Sequence, residues 1–598
     1  MPPSPRVAHE KAERFLREET AFRLGALLTE SPHAKTLTLG ETLRADLAAG
    51  LRQLLSVDED IAPAVRRVFE QDSAFPRLRE TIAAVLRRGG RLFFTGCGAT
   101  GRLSILLEAM WRTFWQDLAV REPACAAWAA DMAGRVRSVM AGGDFALIKS
   151  VEGFEDFPAF GRRQLREAGV AAGDLVVAVT EGGETPFVIG TAWEGLAAGA
   201  AVFFVFNNPA GQLRRQVERS REVLDDARIV NLDLTTGPMA VTGSTRMQAT
   251  TSELLVLGAA LELALRDLLA SAAGPALAQR FASPALGAAE CAEGFARLQA
   301  TLAGDACVAA LARLVELEES VYVRQGRVTY LAGSLLLDIL TDTTERSPTF
   351  MVPPFRMEGD THSPVSWAFV KHPLMPTPEA WEALLARAPR SLAWTGATYA
   401  ALGAPEALRE RPPALDADTI RRFRIGNEPD PSRTSGRDSA LVLVLAGTDR
   451  PAAARLMAAF QRQASDYRRQ SVWALGEDAG GPDGPALCVP VAVPPSPLRL
   501  WTHLTVKLVM NTVSTATMGR LGRVHGNGMV WVSPSNKKLI DRGTRLVAQQ
   551  TGLDYEAACH ALHLALDTVR AMQAAGEEAP SPVALAIETV RKQGIHHD

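Results

Sequence analysis

Short apolar runs, each closed by glycine and hydroxyl residues and followed by a helical pattern, recur along this chain. The clearest lies in residues 91–108, RLFFTGCGATGRLSILLE. An apolar stretch over 92–95 runs into Gly96, Cys97, Gly98, Ala99, Thr100, Gly101 and Arg102, after which apolar positions repeat at helical spacing. This pattern predicts a buried strand, a tight glycine turn and a helix N-terminus whose free N–H groups favour an anion. Further strands are predicted at 134–140, 174–180, 200–206 and 228–234, with a helix over 191–198 and a long helix from 244 through 268. Beyond a helical spacer near 285–320 the pattern restarts, with strands predicted at 326–333, 441–447, 471–475 and 487–493. Three- and four-residue apolar spacing predicts helices over 18–28, 39–55, 61–71 and 76–88, and over 498–519, 538–550, 555–574 and 582–593. Strands alternating with helices imply an open parallel sheet covered on both faces. The expected fold is therefore α/β: two tandem doubly wound parallel-sheet domains forming a pseudo-dimer within one chain, with a helical N-terminal segment and a helical C-terminal lid. The expected divisions are 1–55, 56–285, 286–495 and 496–598.

Composition narrows the classes of function. The 598 residues exceed one domain's usual size, and 47% hydrophobic with 22% charged residues describes a globular protein with material for buried cores. A net charge of −3 makes no electrostatic case for nucleic acid or an anionic membrane. The six cysteines, Cys97, Cys125, Cys291, Cys307, Cys488 and Cys559, form no CxxC pair, so neither a zinc site nor a disulfide framework is expected. The opening stretch MPPSPRVAHEKAERF has no apolar core and no apolar run reaches about 18 residues, so no signal peptide or membrane span is expected. A cytoplasmic location follows as the default.

In open α/β sheets, ligands sit beyond the carboxyl ends of the strands. There this chain offers four polar turns: 98–102, 180–185 (TEGGET), 244–246 (STR) and 152–156 (EGFED). Helix N-termini with serine and threonine hydroxyls suit a phosphate, while carboxylates suit sugar hydroxyls or proton transfer. Three readings of the first turn compete. Gly96, Gly98 and Gly101 satisfy the GxGxxG dinucleotide pattern, but no acidic residue closing the next strand is evident. The alternatives are a phosphosugar site and a purely structural turn. Thr180 and Thr185 have a capping alternative, Glu152, Glu155 and Asp156 could be a solvated face, and Arg246 could be a surface ion-pair partner.

The motifs GCGATGR, MAGGDFALIKSVEGFED, GGETPFVIGT and VTGSTRM resemble the sugar isomerase (SIS) domain of the N-acetylmuramic acid 6-phosphate etherase family, and the tandem layout resembles its double-domain relatives, the glucokinase regulatory proteins. The likeness runs from about residue 36 to 574 and is thin between 370 and 490. The two halves retain different pieces. The second has lost the glycine turn, reading AGSLLLD over 332–338, yet carries DTTERSPT over 342–349, which resembles the etherase segment whose glutamate is assigned as the acid. Glu345 stands at that position, and the first half has Met110 there, with Glu108 two residues away. Lys507 resembles the lysine of the etherase helix, where the first half has Leu254. These losses are complementary, as expected of a fused homodimer keeping one composite site. The chain also departs from the pattern: the etherase turn AASGRTP reads TEGGETP, so a serine is lost at Gly182 and an arginine becomes Glu184. A carboxylate beside a phosphate is unfavourable unless it turns away or meets Lys507 or Arg102.

The resemblance implies an etherase without metal or cofactor, acting on a phosphorylated amino sugar, in which Glu345 is the acid and Glu155 the base, with the roles reversible. Gly98, Thr100, Gly101, Arg102, Glu152, Thr180, Glu184, Thr185, Ser244, Thr245, Arg246 and Lys507 would bind substrate. The alternative it implies is a sensor, in which a hexose phosphate bound between the halves alters affinity for a sugar kinase; retention of both Glu345 and Glu155 favours the enzyme. A phosphosugar isomerase is a third possibility. As an internal pseudo-dimer, the chain would act as a monomer or assemble from fused units.

Overall fold

The computed structural model describes residues 5–151, 153–273, 275–282, 286–434, 438–476, 486–575, 579–592 and 594. Among the described residues ten strands form two five-stranded sheets, and Val524–His525 pairs with Gly528–Met529 in a short antiparallel ribbon. The first holds β1 (Leu92–Gly96), β2 (Val136–Met140), β3 (Leu175–Val179), β4 (Ala201–Phe206) and β5 (Ile229–Asp233), in the order β2-β1-β3-β4-β5. The second holds β6 (Arg327–Ala332), β7 (Ala368–Lys371), β8 (Ser439–Ala446), β9 (Arg469–Leu475) and β10 (Ala486–Val489), in the order β10-β9-β8-β6-β7. Counted from each half's own first strand, the two orders are the same. All neighbouring strands pair in parallel, with Leu92 opposite both Val136 and Leu175, and Val328 opposite both Ala368 and Ala440. Helices cover both faces, so central strands such as β3 and β8 are buried along their whole length and read as unbroken apolar runs. The duplication expected from the sequence is thus a property of the topology.

Helices α1 (Ala99–Arg121) and α2 (Gln248–Ala273) of the first half meet α3 (Leu336–Phe350) and α4 (Leu500–Arg520) between the sheets. One apolar cluster runs from Leu92 and Leu175 through Leu254 and Val509 to Tyr330 and Val442, so the two halves share a core. Helix α4 belongs to that core, and the cover begins only at α5 (Lys537–Thr551). Helices Tyr555–Ala574 and Pro582–Lys592 complete the cover, and the N-terminal helix Pro5–Glu18 packs on it through Phe15, stacked His9 and His560, and a Lys11–Asp567 ion pair of 2.7 Å. Among the described residues no single helix is long and apolar enough to cross a membrane.

Several boundaries differ from the periodicity. The helix expected over 18–28 is replaced by short turns, because Leu24 and Leu27 are buried and the backbone bonds outward: Leu24 N–H donates to Asp541 and Thr29 N–H to Asn208. The single helix expected over 39–55 breaks at Asp46, whose carboxylate caps the second piece by accepting from Ala49 N–H at 3.0 Å. Strand β10 stops at Val489 because Pro490 has no N–H to donate. The four-residue β7 escaped notice, being short and without flanking glycine signals. Part of the proline-rich connection expected over 479–497 lies outside the described residues.

Candidate functional site

At the carboxyl ends of the first sheet lies a crevice of about 370 Å³ closed by elements of both halves and the C-terminal helices. The turn after β1 supplies Cys97, Gly98, Ala99 and Arg102; the loop after β2 supplies Glu155 and Asp156; the turn after β3 supplies Glu181 and Thr185. Gly243, Ser244, Thr245 and Arg246 come from the segment before α2, Glu345 and Pro348 from α3 of the other half, and Asn536, Lys538 and Arg542 from the cover. Backbone demands explain two of the glycines. Gly98 precedes α1 with φ of 58°, and Gly243 has φ of 73° with Arg542 Nε 2.5 Å from where a Cβ would stand.

Arg102, Ser244 and Thr245 all line the crevice. Arg102 is only 3% exposed, yet its Nε and Nη2 have no hydrogen-bond partner. A buried guanidinium left short of acceptors points to a bound anion. The hydroxyls of Ser244 and Thr245 also line the crevice, with no side-chain partner among the described residues. Arg246, a candidate substrate-binding residue that lines the crevice, is not the surface ion-pair partner of the alternative reading. Fully buried, it bridges the halves, reaching Asp342 at 3.3 Å, Thr515 at 3.0 Å, Ser514 at 3.2 Å and Glu345 at 3.8 Å.

The carboxyl groups occupy the remainder. Burial pushes Glu345 above its ordinary range, and Arg102, Arg246 and Lys507 oppose that rise without cancelling it. Glu155 is likewise raised by burial against the pull of Lys538, with Glu184 adding to the rise. Its Oε2 accepts from Asn536 Nδ2 at 3.1 Å, and Lys538 Nζ lies 3.9 Å from Oε1. The loop bearing Glu155 rests on the second half, where Trp394 stacks on Phe154 with ring centroids 5.5 Å apart. The region of thin resemblance thus seats a candidate catalytic loop.

Other expected site residues stand elsewhere. Thr100 caps its own turn, accepting from Cys97 N–H and donating to Cys97 O, and does not reach the crevice. Gly101 serves packing, since a Cβ there would meet Met140 at 2.5 Å. Thr180 lies behind Thr185, their hydroxyls 2.9 Å apart, so only Thr185 lines the crevice. Glu184 meets neither Lys507 nor Arg102; it pairs with Lys538 at 2.6 Å. Lys507 lies behind the crevice, donating to Arg246 O and Thr251 Oγ1 at 2.8 Å each. It shares a small cavity of about 50 Å³ with Arg102, Glu345 and Leu254, its counterpart in the first half. Burial lowers the Lys507 ammonium to about 8, with Glu345 and Asp58 acting against it. Glu152 lies outside the described residues.

Sequence reasoning missed Glu181, Asn536, Lys538 and Arg542. The spacing of Lys538, Arg542 and Arg545 places them on one helical face, a signal that was available. Arg542 and Arg545 both grip Glu30, at 2.6 and 2.7 Å, fastening the N-terminal segment to the cover. Glu181 gave no such signal, since its role depends on neighbours remote in sequence.

The pseudo-twofold counterpart is a second crevice of about 790 Å³, lined by Gly333, Ser334, Leu336, Leu337 and Asp338, with Met110 where Glu345 lines the first. Asp338 there pairs with His503 at 2.9 Å. Glu108 takes no part in it; its buried carboxylate holds Arg112, Arg387 and Arg390, a tie between the halves. A group able to hold a metal, His9, Glu13 and His560, lies between the N-terminal helix and the cover and belongs to neither crevice.

Two fused parallel-sheet domains, the first keeping glycine and hydroxyl turns at its strand ends, define a protein of the SIS-domain fold. Residues 77–193 match the model of the glucokinase regulatory protein N-terminal SIS domain. N-acetylmuramic acid 6-phosphate etherases of Parasynechococcus marenigrum and Mycolicibacterium smegmatis are 32% and 33% identical over 234 and 233 residues, which is 39% of this chain in each case and 64% and 68% of theirs. The chain belongs to this family of etherases and glucokinase regulatory proteins, and spans about two thirds of the length of those curated relatives. Solved structures similar in fold include the C-terminal domain of glucosamine-fructose-6-phosphate aminotransferase from Francisella tularensis (TM-score 0.40, 10% identity, 78% of this chain and 96% of that one). Another is tagatose-6-phosphate ketose/aldose isomerase from Escherichia coli (TM-score 0.39, 13% identity, 79% and 93%).

Proposed function

We propose that the crevice at the first sheet binds a 6-phosphorylated amino sugar and cleaves its lactyl ether as a carbon–oxygen lyase. The observation that carries this reading is the meeting of Glu155 from one half with Glu345 from the other in one crevice, beside the unpartnered Arg102. The name of the relatives, N-acetylmuramic acid 6-phosphate etherase, supports the substrate class. In the open-chain sugar the aldehyde acidifies the proton on carbon 2. Glu155 takes that proton, Glu345 protonates the ether oxygen as the bond from carbon 3 breaks, and lactate leaves. Water then adds across the resulting double bond, so the balanced change is hydrolysis to N-acetylglucosamine 6-phosphate and D-lactate. Arg102, Ser244 and Thr245 hold the phosphate. Two carboxyl groups in different environments can run both proton transfers. Incubation with N-acetylmuramic acid 6-phosphate and detection of lactate tests the reading, and a protein that binds the sugar without releasing lactate overturns it.

One observation favours a sensor of sugar phosphate that regulates a sugar kinase. The crevice is lined by a cover helix held through Lys538–Glu184 and Arg542–Glu30, pairs that a ligand drawing on either cation would weaken. A change in cover position on binding could be read by a partner protein. Tight phosphosugar binding without lactate release leaves that reading standing.

A further inference from the structure

We propose that Glu181 opens the sugar ring in this crevice, its carboxyl passing one proton to the ring oxygen while taking another from the hydroxyl on carbon 1. The inference rests on the phosphosugar lyase reading and adds a step that reading presupposes. A hexose 6-phosphate with an aldehyde at carbon 1 closes through its carbon 5 hydroxyl, and the closed form has no aldehyde to acidify the proton on carbon 2. Glu155 and Glu345 are committed to carbon 2 and the ether oxygen, and each stands beside a cation: Glu345 is 3.8 Å from Arg246 and Glu155 is 3.9 Å from Lys538. Two other carboxyl groups line the crevice, Asp156 and Glu181. The charges acting on Asp156 come from Glu155, Lys537, Arg219 and Glu184, which puts it toward the cover. Glu181 feels both Glu155 and Glu345, so it stands by the two groups that work on carbons 2 and 3, beside the place carbon 1 must occupy.

Glu181 is free for that work. In the turn after β3, it is 8% exposed and enters no ion pair among the described residues. Its carboxyl accepts from Thr250 Oγ1, at 3.3 Å on Oε1, and from its own backbone N–H. Around it stand Cys97 of the turn after β1, Glu155 on its loop, Glu345 on α3, Lys538 on the cover and, behind it, Glu253 of α2. Burial, with Glu345 and Glu155 adding to it and Lys538 opposing, pushes Glu181 up to about 7, so its neutral form persists where an ordinary carboxyl has ionised. A neutral carboxyl carries a donor and an acceptor on one carbon. The ring oxygen and the hydroxyl oxygen of the closed sugar likewise share carbon 1, so the two groups match in one hydrogen-bonded ring. One carboxyl oxygen gives its proton to the ring oxygen as the bond from carbon 1 to that oxygen breaks. The other takes the hydroxyl proton as the carbonyl forms. The carboxyl ends neutral with its proton on the opposite oxygen, the sugar ends as the aldehyde with a hydroxyl on carbon 5, and no co-reactant is consumed.

The test is anomer exchange of N-acetylglucosamine 6-phosphate with the full chain, followed by two-dimensional exchange NMR, because ring opening and reclosure interconvert the anomers with no ether bond to cleave. Wild type should accelerate the exchange. Glu181→Gln should lower the catalysed rate about 100-fold or more, and Glu181→Asp, which keeps the carboxyl, should restore part of it. The acceleration should hold below about pH 7 and fall away above it as Glu181 ionises, a profile read in wild type whether or not the variants fold. No acceleration by wild type, acceleration surviving in Glu181→Gln, or acceleration that grows above about pH 7 would each overturn the assignment. Acceleration without lactate release from N-acetylmuramic acid 6-phosphate overturns the lyase reading and leaves ring opening standing. Lactate release without acceleration does the opposite.

Discussion

Lys538 Nζ stands 2.6 Å from Glu184 Oε1, joining the cover to the turn after β3. Burial alone would raise the Glu184 carboxyl, but Lys538 and Arg219 hold it below its ordinary value of 4.5. The same ammonium, lying near Glu155 and Glu30 as well, is held above its ordinary value despite its own burial. An arginine in the etherase pattern has thus become a carboxylate here, and its counter-charge comes from a helix more than three hundred residues away.

Lys538→Met strips a buried carboxylate of its cation and should destabilise the protein by about 3–5 kcal/mol, whereas Lys538→Met with Glu184→Gln should recover most of the loss. Urea denaturation of the full chain measures both. Because Glu184 ionises below its ordinary value, the pair's contribution is present above pH 4.5 and fades as pH falls through the lowered value.

Glu345→Gln and Glu155→Gln should each lower lactate release about 10²–10⁴-fold while leaving phosphosugar affinity within a few-fold of wild type. Both carboxyl groups ionise above their ordinary range, so the acid remains protonated further toward neutrality and the base loses activity at correspondingly higher pH. A bell-shaped rate profile displaced upward from that of free carboxyl groups checks this.

Arg102→Met removes a lining cation with two unpartnered nitrogens and should weaken phosphosugar binding about 10- to 100-fold. Folding should hold, since no hydrogen bond of Nε or Nη2 is lost. Titration of the variant, with thermal unfolding alongside, separates the two effects.

One phosphosugar should bind per chain. The second crevice is the larger, but it offers Met110 in place of Glu345, and the Ser334 hydroxyl of its turn is paired with Thr448. Two equivalent sites by calorimetry would overturn this.

Glu262 on α2 accepts Leu498 N–H at 3.0 Å and is raised by burial to about 7. A carboxyl raised in the folded state contributes stability present below its unfolded value and lost as pH rises through the folded one. Stability should therefore decline between about pH 4.5 and 7, by about 3 kcal/mol from this group, and Glu262→Gln should flatten that decline. Chemical denaturation across that range is the measurement.

The chain's apolar periodicity by itself determined the first sheet and, β7 excepted, the strands of the second. Buried parallel strands such as β3 and β8 are apolar on both faces, and the glycine turns after them need backbone angles other residues resist, so neither depends on distant partners to be read. Complementary erosion of the halves, with Glu345 kept in one and Gly98 and Arg102 in the other, was legible for the same reason: each lies in a local motif. Tertiary structure alone decided which polar groups are spent and which are free. Thr100 and Thr180 are consumed by neighbours within their own turns, while Lys507 is drawn behind the crevice by carbonyls of the segment entering α2. Glu181, Lys538 and Arg542 acquire their meaning only when strand end, cover helix and the N-terminal Glu30 converge. Hydrogen bonds and ion pairs are satisfied by proximity in space, and the balance of charge in a desolvated crevice is a sum over elements that the order of residues does not bring together.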